Sequence, residues 1–174
     1  MALDLLITNA RTRANGRDLV SIGIADGRIT GIGALDDEAQ QTIDAGGALV
    51  TESFVNGHLH LCKVFTLERA GQAALATYHG EGMGGAMTAI EQAAAFKNDY
   101  DQAWILPNVR RAVDLALKHG NTHIRAFADV DTKARLEGVK ALLTAREEYA
   151  GRVELQVVAF PQDGYFRASE GVKS

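Results

Sequence analysis

Two histidines separated by one residue are the side chains in this sequence best suited to chemistry. His58 and His60 lie in segment 54–61, which has the pattern of a short buried strand. Side chains alternate between the faces of an extended chain, so both imidazoles project to one side, about 7 Å apart at the backbone. Neutral imidazoles at this separation can bind one divalent ion. The pattern predicts metal ligands, although two core histidines bonded to the backbone would show the same spacing.

Cys62 continues the alternation of the two histidines. Its sulfur could lie near a metal, but a buried and chemically inert thiol is the favoured interpretation. The sequence contains one cysteine, so no disulfide can form within the chain. This cysteine usage suits a reducing compartment and favours a cytoplasmic location.

Length and charge exclude several classes of protein. The chain has 174 residues, of which 47% are apolar, and this is enough to bury the core of one domain or of two small ones. A net charge of −4 with mixed signs predicts no nucleic-acid partner. No apolar run approaches the roughly 18 residues of a membrane span. The first residues lack the basic region of a signal peptide.

The first 53 residues have the pattern of short strands joined by turns. Segments 20–24 and 28–32 alternate between apolar and small or polar residues around Asp26 and Gly27. An Asp-Gly pair between two alternating runs predicts a tight hairpin. A further strand is predicted at 3–8 and a second turn at 45–47. Such a unit is too short to bury both faces of its sheet.

The second half alternates between helical and extended patterns. A helical stripe is expected to begin near Pro107 and to end at Gly120, and a second stripe ends before Gly151. Strands are predicted at 123–130 and 153–160. This order implies parallel strands joined by right-handed crossovers. A glycine-rich loop at 78–85, without a nucleotide-binding pattern, and an alanine-rich helix at 88–96 are predicted before them.

Four blocks of the sequence resemble a known family. They are IDAGGALV at 43–50, FVNGHLHL at 54–61, GNTHIR at 120–125 and LQVVAFPQ at 155–162. Together they resemble the amidohydrolase superfamily, in the cytosine deaminase-like branch that includes N-isopropylammelide amidohydrolase. The resemblance runs almost from end to end of the chain and matches the N-terminal portion of such enzymes.

The resemblance implies an α/β fold in two parts. Residues 1–53 would form part of a small β-sandwich, and residues 54–174 would form the first three strands of a (β/α)8 TIM barrel. His58 and His60 match the two metal ligands on the first barrel strand. Gln162 matches a glutamine that hydrogen-bonds the substrate ring, although a surface turn residue after Pro161 is the alternative.

The implied activity is hydrolysis of a C–N bond in a small cyclic or amide substrate. One divalent ion (zinc, iron or manganese) would activate the water that attacks the substrate. The remaining ligands and the acid/base residue of the family come from later strands, outside this chain. We therefore expect a second polypeptide that completes the barrel, or a homo-oligomer; a fragment or truncated product of a longer enzyme is the alternative. The alternative is a non-catalytic subunit or remnant that assembles with a homologous partner.

Positions 62 and 127 depart from the family pattern. Phe127 lies where close relatives carry histidine, and Cys62 lies where relatives often carry aspartate. The change at Phe127 replaces a polar side chain and bears on the substrate, while the histidine pair is unaffected.

Overall fold

The computed structural model describes residues 2–66, 68–69 and 96–162. The chain divides into two compact units, Met1–Glu52 and Ser53–Ser174. The predicted glycine-rich loop at 78–85 and nearly all of the predicted helix at 88–96 lie outside the described residues.

The first unit contains a four-stranded sheet. Its strands are β1 (Leu3–Ala10), β2 (Val20–Ala25), β3 (Arg28–Gly33) and β4 (Ala39–Asp44), in the order β3-β2-β1-β4. β2 pairs antiparallel with β1 and β3, and β4 pairs parallel with β1. The sheet agrees with the expected part of a β-sandwich.

The turn between β2 and β3 is the predicted hairpin. Asp26 and Gly27 have φ angles of 51° and 69°, which are the left-handed values that a two-residue primed turn requires. The backbone N–H of Asp26 also donates to Asp4 Oδ2 at 2.6 Å. The hairpin prediction is therefore confirmed.

Strand β4 was not anticipated. Its sequence, AQQTID, is mostly polar, and five of its six residues are exposed, so it shows little of the alternation that identifies a strand. Backbone pairing with β1 holds it in place, from Leu3 opposite Ala39 to Thr8 opposite Asp44.

The second unit contains a three-stranded parallel sheet with two helices. Its elements are β5 (Phe54–Leu59), α1 (Gln102–Lys118), β6 (Asn121–Asp129), α2 (Glu137–Glu148) and β7 (Glu154–Phe160). The sheet order is β5-β6-β7, and both pairings are parallel. The predicted α/β class and parallel pairing are confirmed.

A continuous apolar core joins the helices to this sheet. Helix α1 contributes residues spaced by four, which places them on one face of the helix. The fully buried members of the core include Ile105, Val109, Val113, Ile124, Ala141, Leu142, Ala145 and Leu155.

In the described ranges, no helix is long and apolar enough to cross a membrane.

The expected start of helix α1 near Pro107 is wrong, because the helix begins at Gln102 and contains this proline. Asp101 caps the helix, since its side chain accepts a hydrogen bond from the Ala103 N–H at 2.7 Å. Burial of Ile105 stabilises the early turn. Pro107 is the sixth residue of α1, so it costs the helix the one hydrogen bond that a backbone N–H there would donate to the Ala103 carbonyl.

Candidate metal centre

The two histidines lie together at the carboxyl end of strand β5. Their ring centroids are 5.1 Å apart, and the ring planes are inclined by 59°. Leu59, between them, packs against the apolar core. Ligand sites in parallel α/β sheets lie at the carboxyl ends of the strands. Both imidazoles therefore lie on the same side of the strand, as alternation predicts, and at the edge of the sheet where a site is expected.

Two phenylalanines from the neighbouring strands surround the histidines. Phe127 stacks on His58 with centroids 4.3 Å apart and planes inclined by 25°. Phe160 meets the edge of His60 at 5.1 Å and the edge of Phe127 at 5.4 Å. Phe127 thus holds one face of His58 through aromatic contact.

A buried carboxylate lies beneath His60. Asp129, at the end of β6, is 0% exposed. The ammonium of Lys63 lies 3.3 Å from Oδ1 and 3.2 Å from Oδ2 of this carboxylate, and Lys97 Nζ lies 3.2 Å from Oδ2. Lys97 also contacts Asp131 at 2.6 Å. Two ammonium groups thus compensate two carboxylates in a largely buried cluster.

The Nδ1 atom of His60 faces this cluster without a hydrogen bond. It is buried and unsatisfied, and Asp129 Oδ1 lies 3.6 Å away, slightly beyond hydrogen-bond length. Burial lowers the pKa of His60, and the nearby Lys63 ammonium lowers it further, while Asp129 opposes this effect. Burial thus favours the neutral form of the imidazole, which is the form that binds a metal.

These donors fit part of a site for a divalent ion. Two neutral imidazoles on one face are suitable ligands, and a carboxylate beside the second nitrogen is a common support for a metal-binding histidine. No group of three or more His, Cys, Asp or Glu side chains that could hold a metal occurs in the part of the chain that the structure describes. The role of His58 and His60 as ligands stays a prediction, and further ligands would have to come from elsewhere.

Gln162 lies after β7 and joins the same network. Its Oε1 atom accepts a hydrogen bond from Lys63 Nζ at 2.9 Å. An ammonium can only donate, so it binds the amide oxygen and leaves the NH2 group to donate elsewhere. Gln162 is exposed and is linked to His60 through Lys63 and Asp129. Its role as a substrate contact is consistent with this position and stays a prediction.

Lys63 and Lys97 are two members of this cluster that were not anticipated from the sequence. Lys63 follows His60 by three residues, where a 3-10 turn at Leu61–Lys63 brings its side chain back over the strand ends. Lys97 is 3% exposed and lies in a 3-10 turn at Phe96–Asp99. A lysine in a short polar segment normally lies in solvent, so no sequence signal distinguished it.

Cys62 is the inert thiol that was favoured, with its side chain 1% exposed. It accepts a hydrogen bond from the Asp129 N–H at 3.4 Å. Burial, together with the Asp129 charge, raises the pKa of Cys62 to about 11. Both features oppose formation of a reactive thiolate.

We expect native Cys62 to react with a thiol reagent at least about a hundredfold more slowly than the same cysteine in the denatured chain, because thiolate and access are both scarce. The measurement is the labelling rate at about pH 8 with and without denaturant. Rapid and complete labelling of the folded protein would contradict the buried position.

Comparison with known proteins agrees with this fold. Residues 41–174 match the model of the amidohydrolase family. An N-isopropylammelide isopropyl amidohydrolase of Pseudomonas sp. (strain ADP) is 32% identical over 166 residues, which are 94% of this chain and 40% of the relative. The chain thus spans well under half the length of this curated relative.

Solved structures extend the likeness to the fold. A 5-methylcytosine deaminase from Klebsiella pneumoniae, liganded with 5-fluorocytosine, superposes with a TM-score of 0.72 at 28% identity, over 91% of this chain and 37% of that chain. An N-isopropylammelide isopropylaminohydrolase from Burkholderia multivorans gives a TM-score of 0.69 at 32% identity, over 98% of this chain and 40% of the other. The expected partial barrel and the resemblance to these enzymes are confirmed, and the chain belongs to the amidohydrolase family.

Proposed function

We propose that this chain is the N-terminal part of a metal-dependent amidohydrolase or deaminase that hydrolyses a C–N bond in a small cyclic or amide substrate. Residues 1–53 form part of its β-sandwich, and residues 54–174 form the first part of its barrel. The main support for the proposal is the geometry of the histidine pair. The imidazoles of His58 and His60 lie 5.1 Å apart at the carboxyl end of a parallel sheet, in a chain of the amidohydrolase family.

Each named side chain has a part in this proposal. His58 and His60 hold one divalent ion (zinc, iron or manganese) together with ligands from outside the chain. The chemistry that such an ion supplies is the activation of water for attack on the carbon of a C–N bond. Gln162 directs its amide NH2 group to the substrate, because Lys63 holds the amide oxygen. The acid/base residue lies outside this chain.

The polypeptide that completes the barrel is the second element of the proposal. Among the described residues, the three parallel strands leave both outer strands of the sheet with unpaired backbone groups. The side chains of Phe54 and Val55, on β5, are 52% and 69% exposed. We assign the covering of these groups to further barrel strands, supplied by additional sequence or by a second chain.

The test is an assay of the complete barrel. The chain together with its completing polypeptide is incubated with 5-methylcytosine and with N-isopropylammelide, after loading with zinc, iron or manganese. Release of ammonia from the first compound or of isopropylamine from the second is expected, and removal of the metal by a chelator should abolish it. A metal-loaded complete barrel without C–N hydrolysis of any cyclic or amide substrate would refute the proposal.

A non-catalytic subunit is the second candidate function. The stacking of Phe127 on His58 favours it, because an apolar ring then covers one face of a proposed metal ligand. Intact mass of the native complex separates the two functions. A stable metal-free homo-oligomer supports the second, whereas a companion polypeptide that carries the missing His and Asp ligands and the acid/base Glu supports the first.

A further inference from the structure

One ring nitrogen of His60 lies in a buried environment that bears on metal binding. The Nδ1 atom of His60 is buried without a hydrogen bond, and the nearest carboxylate oxygen is Asp129 Oδ1 at 3.6 Å. A buried ring nitrogen without a partner is costly. A small rotation of the imidazole would close this distance to a hydrogen bond.

The carboxylate of Asp129 has little freedom to turn away from His60. Lys63 binds both of its oxygens, and Lys97 lies 3.2 Å from Oδ2. The side chain is completely buried. Its backbone N–H is bound to Cys62 Sγ, so the main chain at this position is also held. The direction from Oδ1 toward His60 Nδ1 is therefore set by three neighbouring residues.

We propose that Asp129 is a positioning residue for His60, which it holds with the proton on Nδ1 and the lone pair of Nε2 directed to the metal. The proposal rests on the proposed function for its metal half. A hydrogen bond from one ring nitrogen selects the tautomer of the imidazole and the orientation of its ring. Asp129 does not contact the ion or the substrate, and acts only through His60.

Lys63 and Lys97 compensate the charge of the buried Asp129 carboxylate. An isolated buried carboxylate would be strongly destabilising, and the two ammonium groups make its burial beside His60 possible. Asp131 contacts Lys97 at 2.6 Å and carries the same charge as Asp129. Among the described residues it forms no ion pair with His60, which makes it a matched control.

The test uses the tautomer of His60 as a readout that is independent of metal and of activity. Nitrogen-15 NMR of the full chain at about pH 8, where imidazoles are neutral, reports which ring nitrogen carries the proton, and the spectrum of His60→Gln assigns the signal. We expect the Nδ1–H tautomer in the unmodified protein and a shift toward Nε2–H in Asp129→Asn. Asp131→Asn should leave the His60 signal unchanged.

Zinc affinity of the complete barrel gives the second readout. Asp129→Asn is expected to weaken zinc binding by roughly 10- to 100-fold, and Asp131→Asn by less than about twofold. A His60 proton on Nε2 in the unmodified protein overturns the proposal, even if Asp129→Asn fails to fold. An unchanged tautomer in a folded Asp129→Asn protein overturns it as well. An Nδ1–H tautomer without any zinc binding would refute the proposed function and leave the Asp129–His60 contact supported.

Discussion

Replacing His58 and His60 together by alanine is expected to remove the bound metal from the complete barrel. Metal content should fall from about one ion per barrel to background, because catalytic metal sites depend on three or more protein ligands. Segment 54–61 contains no other histidine, so no neighbouring imidazole on this strand can replace the pair. Elemental analysis of the purified assembly measures the loss.

A matched control removes two histidines that lie away from the candidate centre. His119 follows helix α1 as its C-terminal cap, and the His123 ring contacts Thr122 near the start of β6. The double variant His119→Ala/His123→Ala should keep the full metal content. If His58→Ala/His60→Ala also retained full occupancy, the assignment of both ligands would be wrong, and the proposed function would lose its main observation.

The position of the histidine pair could be predicted because it depends on local geometry alone. Alternation along one strand placed both imidazoles on the same face and Leu59 on the other, as observed. The hairpin at Asp26 and Gly27 was also predictable, since its two residues supply the φ angles that the turn requires. The order of strands and helices then implied the parallel pairing.

The environment of His60 could not be predicted, because it is made by residues that are distant in the sequence. Lys63 and Asp129 are 66 positions apart, and Lys97 and Asp131 are 34 positions apart. Periodicity carries no information on which charged side chains meet across such distances. Lys97 in particular has the sequence context of a solvent-exposed turn, yet it is buried.

The errors in the fold prediction arise from interactions that the hydrophobic pattern of the sequence does not show. Strand β4 is stabilised by its parallel pairing with β1, a contact that its polar sequence does not indicate. Helix α1 continues through Pro107 because the cap at Asp101 and the burial of Ile105 stabilise its first turns. In both cases a tertiary or capping interaction outweighs the local preference of the sequence.

The buried lysine provides the second large expected effect, on stability. Lys97→Met keeps most of the length of the side chain and removes its charge, which leaves Asp131 without its 2.6 Å partner and Asp129 with one ammonium fewer. Loss of one member of a buried ion pair costs about 3–5 kcal/mol, and we expect about 3 kcal/mol, since Lys63 still binds Asp129. In urea this corresponds to a midpoint lower by roughly 1–2 M.

Lys140→Met is the matched control for this stability measurement. Lys140 forms an ion pair with Glu137 at 3.2 Å, but its side chain is 53% exposed, so solvent compensates for the lost contact and the urea midpoint should hardly move. A second comparison adds Asp131→Asn to Lys97→Met. Because the removed ammonium no longer leaves a charged partner at position 131, the double variant should lose less stability than the sum of the single changes. Equal midpoints for Lys97→Met and Lys140→Met would show that the ammonium of Lys97 does not balance the buried carboxylates, and the ion-pair account of this cluster would then fail.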